Sequence, residues 1–352
     1  MGRGLMATLD QRGACPRPGF VSDALRVGLD LDGSLESLGD SMNDLANALD
    51  AVRACELVRF RTLSARRSSG EARLVGRAVW APLWRRGVGP AIDRFLAPLD
   101  VIHLAGRATP PTKSTPLVIS VDDLRPLRGE SREYQRINQL RRAVDHGATL
   151  VASTRIASHE VQRVLHVART RVVVVPPAVP LVEPTTNGTR LVVNLTGVVE
   201  PFFTLSRELV SFAQRHGTQV EAVTSAKVAQ RIRSRGIDVR LRARSEARLA
   251  LSEARVVLHI SDGARFPSFA IAALAAGVPT IARDTAINRE LLSGAAALTN
   301  SDAEVPAVLE DLWDNSSRRA IAVAAGRSRA QDFAPATAAR AYMSLYREAV
   351  RG

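Results

Sequence analysis

Two aspartates, Asp122 and Asp123, stand side by side behind an apolar run from Pro116 to Val121. Adjacent carboxylates at the carboxyl end of a strand can hold an acceptor's hydroxyls or take a proton from one of them. The same pair can equally cap the next turn by accepting backbone N–H bonds. Arg265, in the loop behind the apolar run Arg255 to Ile260, carries a second kind of chemistry. Its planar guanidinium matches a phosphate, which it can grip with two parallel bonds. Gly39 closes a loop that opens a helix, where Ser41 reads as an N-cap that needs no ligand. Cys15 and Cys55 are neither a disulfide framework nor a metal-ligand spacing, so both read as plain thiols.

The elements that must position these residues follow from hydrophobic patterning. At 352 residues the chain exceeds what one core usually fills, so two domains are expected. The first half predicts strands over Arg26 to Leu31, Cys55 to Phe60, Leu99 to Leu104, Pro116 to Val121, Ala148 to Ser153 and Arg171 to Pro177. Between them lie a helix from Ser41 with Leu45, Leu49 and Val52 on one face, and helices over Arg132 to Asp145 and Ser158 to Leu165. A polar linker with Pro and Gly runs from Pro180 to Thr189. The second half predicts strands over Arg190 to Leu195, Val220 to Thr224, Ile237 to Leu241, Arg255 to Ile260, Thr280 to Ala282 and Ala296 to Leu298, each with a helical partner. In the helix after Arg265, Ile271, Leu274 and Ala275 recur at i, i+3, i+4, and Gly277 supplies the left-handed residue that ends it. The expected organisation is a disordered leader over 1–24, an α/β domain over 25–180, a linker over 181–189, a second α/β domain over 190–335 and an amphipathic terminal helix over 336–352. Alternating strands and helices in both halves predict two doubly wound parallel sheets, with ligand crevices at the strand carboxyl ends.

The stretch from Ser261 to Glu290, SDGARFPSFAIAALAAGVPTIARDTAINRE, carries a resemblance. Aligned through Ser261, Phe266, Gly277, Pro279 and Ile281, it resembles the donor-site signature S-x-x-E-G-F-G-x-x-x-x-E-A-x-A-x-G-x-P-V-I of the retaining nucleotide-sugar glycosyltransferases of family four. In the first half, Asp100, His103, Pro110 and Pro111, then Val121-Asp122-Asp123-Leu124, are similar to that family's D-x-x-H, proline-rich loop and H-D-L. The resemblance spans residues 25 to 350. It implies the GT-B fold: two Rossmann-like domains facing a central cleft, acceptor side first and donor side second, with the last helix crossing back to the first domain. It also implies a nucleotide sugar as co-substrate, no other cofactor, no metal, and a glycan or lipid-linked acceptor of the cell envelope or of polysaccharide synthesis. The positions it marks are His103, Asp122 and Asp123 as catalytic, and Gly39, Gly197, Ser261, Arg265 and Glu290 as donor-binding.

The departures are chemical. The family's two glutamates fall on Ala264 and Ala272, its loop glycines on Arg265 and Pro267, its basic pair on Phe202 and Phe203, and its second histidine on Asp122. A methyl group cannot accept the hydroxyl bonds a carboxylate accepts. Two aromatics cannot bind a diphosphate, though they can staple the helix expected from Leu205 to His216. Two functions therefore remain open: a divergent transferase, or an inactive GT-B scaffold that partners an active glycosyltransferase.

Charge adds a surface. The net charge is +13, and nearly all cations are arginine, with Lys113 and Lys227 the exceptions. Nine arginines between Arg59 and Arg94 face only Glu71 and Asp93, so that stretch carries +7, interleaved with Leu74, Val75, Val79, Trp80, Leu83 and Trp84. Such a composition fits a helix on an anionic membrane, and fits equally a solvated basic loop whose tryptophans pack inward. Nucleic acid ranks below both, for want of any recognition motif. No run is long and apolar enough to span a bilayer and no signal core opens the chain, so the expected location is cytoplasmic, peripheral at the inner membrane face if the basic stretch docks there.

Overall fold

The computed structural model describes residues 24–32, 42–53, 55–64, 70–121, 123–129, 134–180, 182–183, 188–196 and 198–352. Gly39, Ser41, Asp122 and Gly197 lie outside the described residues, as do residues 1–23 of the expected leader and 184–187 of the linker.

Among the described residues the strands form two six-stranded, all-parallel sheets. The first has the order β2-β1-β3-β4-β5-β6, from β1 (Arg26–Asp30), β2 (Glu56–Phe60), β3 (Val101–Leu104), β4 (Leu117–Val121), β5 (Thr149–Ala152) and β6 (Val172–Val174). The second has the order β12-β11-β10-β7-β8-β9, from β7 (Arg190–Thr196), β8 (Val220–Thr224), β9 (Arg240–Ala243), β10 (Ala254–Ser261), β11 (Thr280–Arg283) and β12 (Ala297–Thr299). Central strands such as β4 and β8 are buried at every residue because helices cover both faces, the condition under which parallel strands read as continuous Val, Ile and Leu runs.

The helices of the first half are α1 (Met42–Ala51), α2 (Arg77–Trp84), α3 (Tyr134–Asp145) and α4 (Arg155–Leu165). Those of the second are α5 (Glu200–Arg215), α6 (Ala226–Ser234), α7 (Ala247–Glu253), α8 (Ser268–Ala275), α9 (Ala286–Leu292), α10 (Val305–Asp314), α11 (Ser316–Ala330) and α12 (Pro335–Arg351). As expected, α12 returns to the first sheet: Tyr342, Met343, Leu345 and Tyr346 are buried in one core with Leu45 and Leu49 of α1 and Val27 and Leu29 of β1.

Several boundaries differ from the sequence expectation, each for a physical reason. Val52 follows α1 in a turn and is exposed, so the α1 face ends at Leu49. Helix α4 begins at Arg155 because the Thr154 side chain caps it, accepting from Ala157 N at 2.9 Å. Strand β9 runs over Arg240–Ala243 instead of Ile237 to Leu241, because Arg242 is buried and paired, through Nε, with Glu221 Oε1 at 2.8 Å. Phe202 and Phe203 lie inside α5 and do not precede it; Phe202 fills the core, and the Arg235 guanidinium covers the Phe203 ring at 3.6 Å. Helix α8 is buried on every side from Ser268 to Leu274, since α11 covers its outer face. Gly326 permits that approach, for a Cβ there would lie 2.9 Å from Leu274 Cδ2. Gly277 ends α8 at φ +76°, as its position predicts.

Candidate functional site

The loops leaving β4 and β10 meet, which brings the carboxyl ends of the two sheets face to face. Asp123 and Arg265 form an isolated antiparallel bridge, and Leu124 N donates to Ala264 O at 3.1 Å. Arg265 Nη2 donates to Asp123 Oδ2 at 3.0 Å, while Arg125 Nε donates to both oxygens of the same carboxylate at 2.9 and 3.0 Å. Arg128 Nη2 reaches Gly263 O at 3.2 Å. Beneath these polar contacts one apolar core is continuous from Ile119, Leu124, Leu127 and Val161 to Phe266, Phe269 and Ile271.

Asp123 thus has a defined electrostatic state. Burial alone pushes its carboxyl up, but the Arg125 hydrogen bonds and the Arg265 guanidinium outweigh it and hold the group below the usual carboxylate range. A carboxylate so held is a weak proton acceptor near neutrality. Its geometry is that of an ion-pair partner across the cleft, where the sequence suggested a base. Neighbouring Asp122 lies outside the described residues.

His103 takes a different position from the one implied for it. Its side chain leaves β3 on the face that α12 covers and is fully buried. Nδ1 meets Tyr346 Oη at 2.7 Å and Nε2 meets Ser120 Oγ at 2.9 Å, so both ring nitrogens are occupied. Burial lowers its pKa to about 3, and the ring is neutral. The structure makes His103 a packing and hydrogen-bonding residue between sheet and terminal helix.

Glu290, on α9, is likewise committed. Its carboxylate accepts from Arg155 N at 2.8 Å and Ile156 N at 3.0 Å, at the first turn of α4 in the other half of the chain. With Thr154 serving Ala157 N, three of the orphan amides of that helix are satisfied, two by a residue more than 130 positions away. Sequence reasoning placed Glu290 beside a ligand; the structure places it at the junction of the two halves.

Ser261 and Arg265 retain unused hydrogen-bonding capacity. Ser261 ends β10 with its Oγ buried and without a partner among the described residues, and Arg265 Nε is in the same condition. Two residues earlier on the same strand face, His259 Nδ1 contacts Asn194 Nδ2 at 2.9 Å, its Nε2 has no partner, and burial lowers its pKa to about 4. Sequence reasoning missed this pair. The available signal was a polar residue inside each of the two apolar runs LVVNL and VVLHI, which pair at Asn194 and His259 in register. The N-terminus of α8 has no side-chain cap; Ser268 N donates to Phe266 O at 2.9 Å, and the next amides of the first turn have no intrahelical partner.

A second polar cluster, also missed, lies at the carboxyl end of β1. Asp30 Oδ1 accepts from Asp32 N at 3.1 Å and Thr62 N at 3.2 Å, and its Oδ2 accepts from Thr62 Oγ1 at 2.9 Å. Burial, and then the nearby charge of Asp32, raise the Asp30 carboxyl from 3.8 to about 7 against those hydrogen bonds.

Ala264 and Ala272, where the resembled family has glutamates, are 1% and 0% exposed. Ala272 belongs to the continuous core, with Phe266 edge-on to Phe333 at 5.6 Å, and Ala264 is buried where its carbonyl accepts from Leu124 N.

The sequence matches no family model and no curated protein. Solved structures do match its fold. HepE from Anabaena, in complex with UDP-glucose, superposes with a TM-score of 0.69 at 12% identity, over 92% of this chain and 99% of that one. Sucrose-phosphate synthase from Thermosynechococcus elongatus gives 0.63 at 12% identity, over 92% and 98%. AviGT4, a glycosyltransferase involved in avilamycin A biosynthesis, gives 0.56 at 16% identity, over 93% and 98%. With its two facing parallel sheets and returning terminal helix, the chain has the GT-B fold.

Proposed function

We propose that the protein is a GT-B glycosyltransferase that takes a sugar from a nucleotide-sugar donor and passes it to a cell-envelope or polysaccharide acceptor. The observation that carries this is the meeting of the two sheets' carboxyl ends at Asp123 and Arg265, because open α/β sheets bind ligands there. The UDP and UDP-glucose of the HepE complexes support a nucleotide sugar as the donor class. In this proposal the β10 side holds the donor. The Ser261 hydroxyl and the α8 amides bind the diphosphate, and Arg265 turns from Asp123 to the leaving phosphate, where a fixed cation stabilises developing charge.

A second reading has its own observation. Arg265, Ala264 and Glu290, all in the stretch that resembles a donor site, make contacts to the first half of the chain. A GT-B scaffold that binds a partner glycosyltransferase needs such contacts and no donor.

Thermal shift with UDP, GDP and TDP and their sugars separates the two, since a ligand that binds only the native state raises the melting temperature. The expected result is a shift of several degrees for one nucleotide, abolished by Arg265→Ala. No shift across the panel at millimolar ligand would overturn the transferase reading and leave the scaffold.

A further inference from the structure

We propose that the exposed ridge of α2 and its flanking turns is a docking surface for an anionic lipid bilayer. Arg66 and Arg67 lie outside the described residues, and the fold sorts the other arginines from Arg59 to Arg94. Arg61 turns inward to a buried ion pair with Glu71 at 3.0 Å, and Arg77 Nη1 donates to Leu63 O at 2.7 Å. Arg73, Arg85, Arg86 and Arg94 remain exposed, and none pairs with a carboxylate among the described residues. The two acids that border this segment are both withdrawn. Glu71 is buried against Arg61, and Asp93 Oδ2 accepts from Lys113 N at 2.8 Å and Ser114 N at 3.2 Å. Residues 72–92 contain no acidic residue, so the surface they present is cationic without relief.

The apolar residues are sorted too, and not as the sequence suggested. Trp84 is fully buried, its indole N–H donating to Pro90 O at 3.0 Å, and Leu74 is 5% exposed. Val75 and Val79 are instead 67% and 64% exposed, with Ala78 and Pro82 beside them and Val88 in the next turn. Ala78, Val79 and Pro82 share one side of α2 at i+3 and i+4 spacing, and Val75 stands exposed in the turn before it, so an aliphatic ridge faces outward between arginines. Aliphatic side chains set among cations suit acyl chains beneath phosphate headgroups. Single-stranded nucleic acid is a poorer fit, because the aromatic faces on which bases stack point inward. Arg77 and the bond from Thr109 N to Trp84 O at 3.1 Å tie the ridge to the loops that leave β2 and β3. It therefore borders the same rim as the crevice.

Co-sedimentation with phosphatidylcholine vesicles containing 30% phosphatidylglycerol, with pure phosphatidylcholine as reference and no nucleotide present, tests the surface apart from any transfer activity. The protein is expected to partition onto the anionic vesicles and to be released by 0.5 M salt. Arg85→Glu with Arg86→Glu should lower the partition coefficient about 30-fold or more. Val75→Ser with Val79→Ser should lower it about tenfold, at unchanged melting temperature, since both side chains are exposed. Equal binding to neutral and anionic vesicles, or wild-type binding by both double variants, would overturn the proposal. So would retention on RNA or an acidic polypeptide in the absence of vesicle binding. Vesicle binding without any nucleotide shift would sink the transferase reading and leave this one standing.

Discussion

Replacing Asp30 with asparagine should stabilise the protein, and more so as pH rises. Asp30 is fully buried, and its carboxyl is raised from 3.8 to about 7, first by burial and then by Asp32. The folded state therefore keeps a proton that the unfolded chain has released between those two values. Where the folded state binds more protons, stability falls as pH rises, so the loss accumulates from about pH 4 to pH 7 and is constant above. Three units at roughly 1.4 kcal/mol each make about 4 kcal/mol at pH 8, an upper figure because water entry and relaxation soften it. An asparagine at this site can accept from Asp32 N and Thr62 N with its oxygen and donate to the Thr62 hydroxyl with its nitrogen, so the three contacts survive without the charge.

Other groups titrate across the same range with the opposite sign. His103 and His259 have folded values of about 3 and 4, so they cost stability as pH falls below about 6.5, where the unfolded imidazoles gain protons. Both are present in wild type and variant, and they cancel in the difference. The assay is urea denaturation of wild type and Asp30→Asn at pH 5, 6, 7 and 8, followed by tryptophan fluorescence. The stability difference should grow in favour of the variant by about 2 kcal/mol between pH 5 and pH 7, then level off. A difference that does not change with pH would mean that Asp30 ionises normally and that neither burial nor Asp32 is felt.

Two further outcomes follow from the junction of the halves. Glu290→Ala removes both acceptors from the first turn of α4 and should cost about 1–3 kcal/mol, with faster proteolysis in the 180–189 segment. Unchanged stability and cleavage would mean that the Glu290 bonds add nothing to the contacts Asp123, Leu124 and Arg128 already make across the junction. Ala272→Glu, which restores a family glutamate, places a charge at a site that is 0% exposed within the apolar core, so it should cost several kcal/mol and yield little folded protein. A folded Ala272→Glu protein with tighter UDP binding would refute that account of the site.

Much of the fold was legible because strands buried on both faces must be apolar throughout, and runs such as LVISV and VVLHIS are hard to place otherwise. Where polar residues are buried in pairs, patterning fails. Strand β9 was displaced because Arg242 reads as the end of the apolar run until Glu221 is known to pair with it. The Asn194–His259 contact and the Asp30–Thr62 bonds were missed for the same reason, since their partners are 65 and 32 positions apart. The candidate site was legible as a place more than as a set of roles. Ser261 and Arg265 fall where the carboxyl ends of the sheets meet, whereas His103 turns to the opposite face of the first sheet, toward α12.

The sequence by itself determined the two parallel α/β halves, the left-handed stop at Gly277, the amphipathic terminal helix and the cationic stretch before Arg94. These are properties of local period, turn chemistry and composition, which each segment carries within its own residues. The tertiary structure alone decided what the charged side chains do. Whether Glu290 meets a ligand or a helix end, whether Asp123 can accept a proton, and which of the arginines near α2 face solvent all depend on groups brought together from distant positions. A carboxylate's basicity and a guanidinium's freedom are set by burial and by the nearest opposite charge, and both exist only once the two sheets have packed.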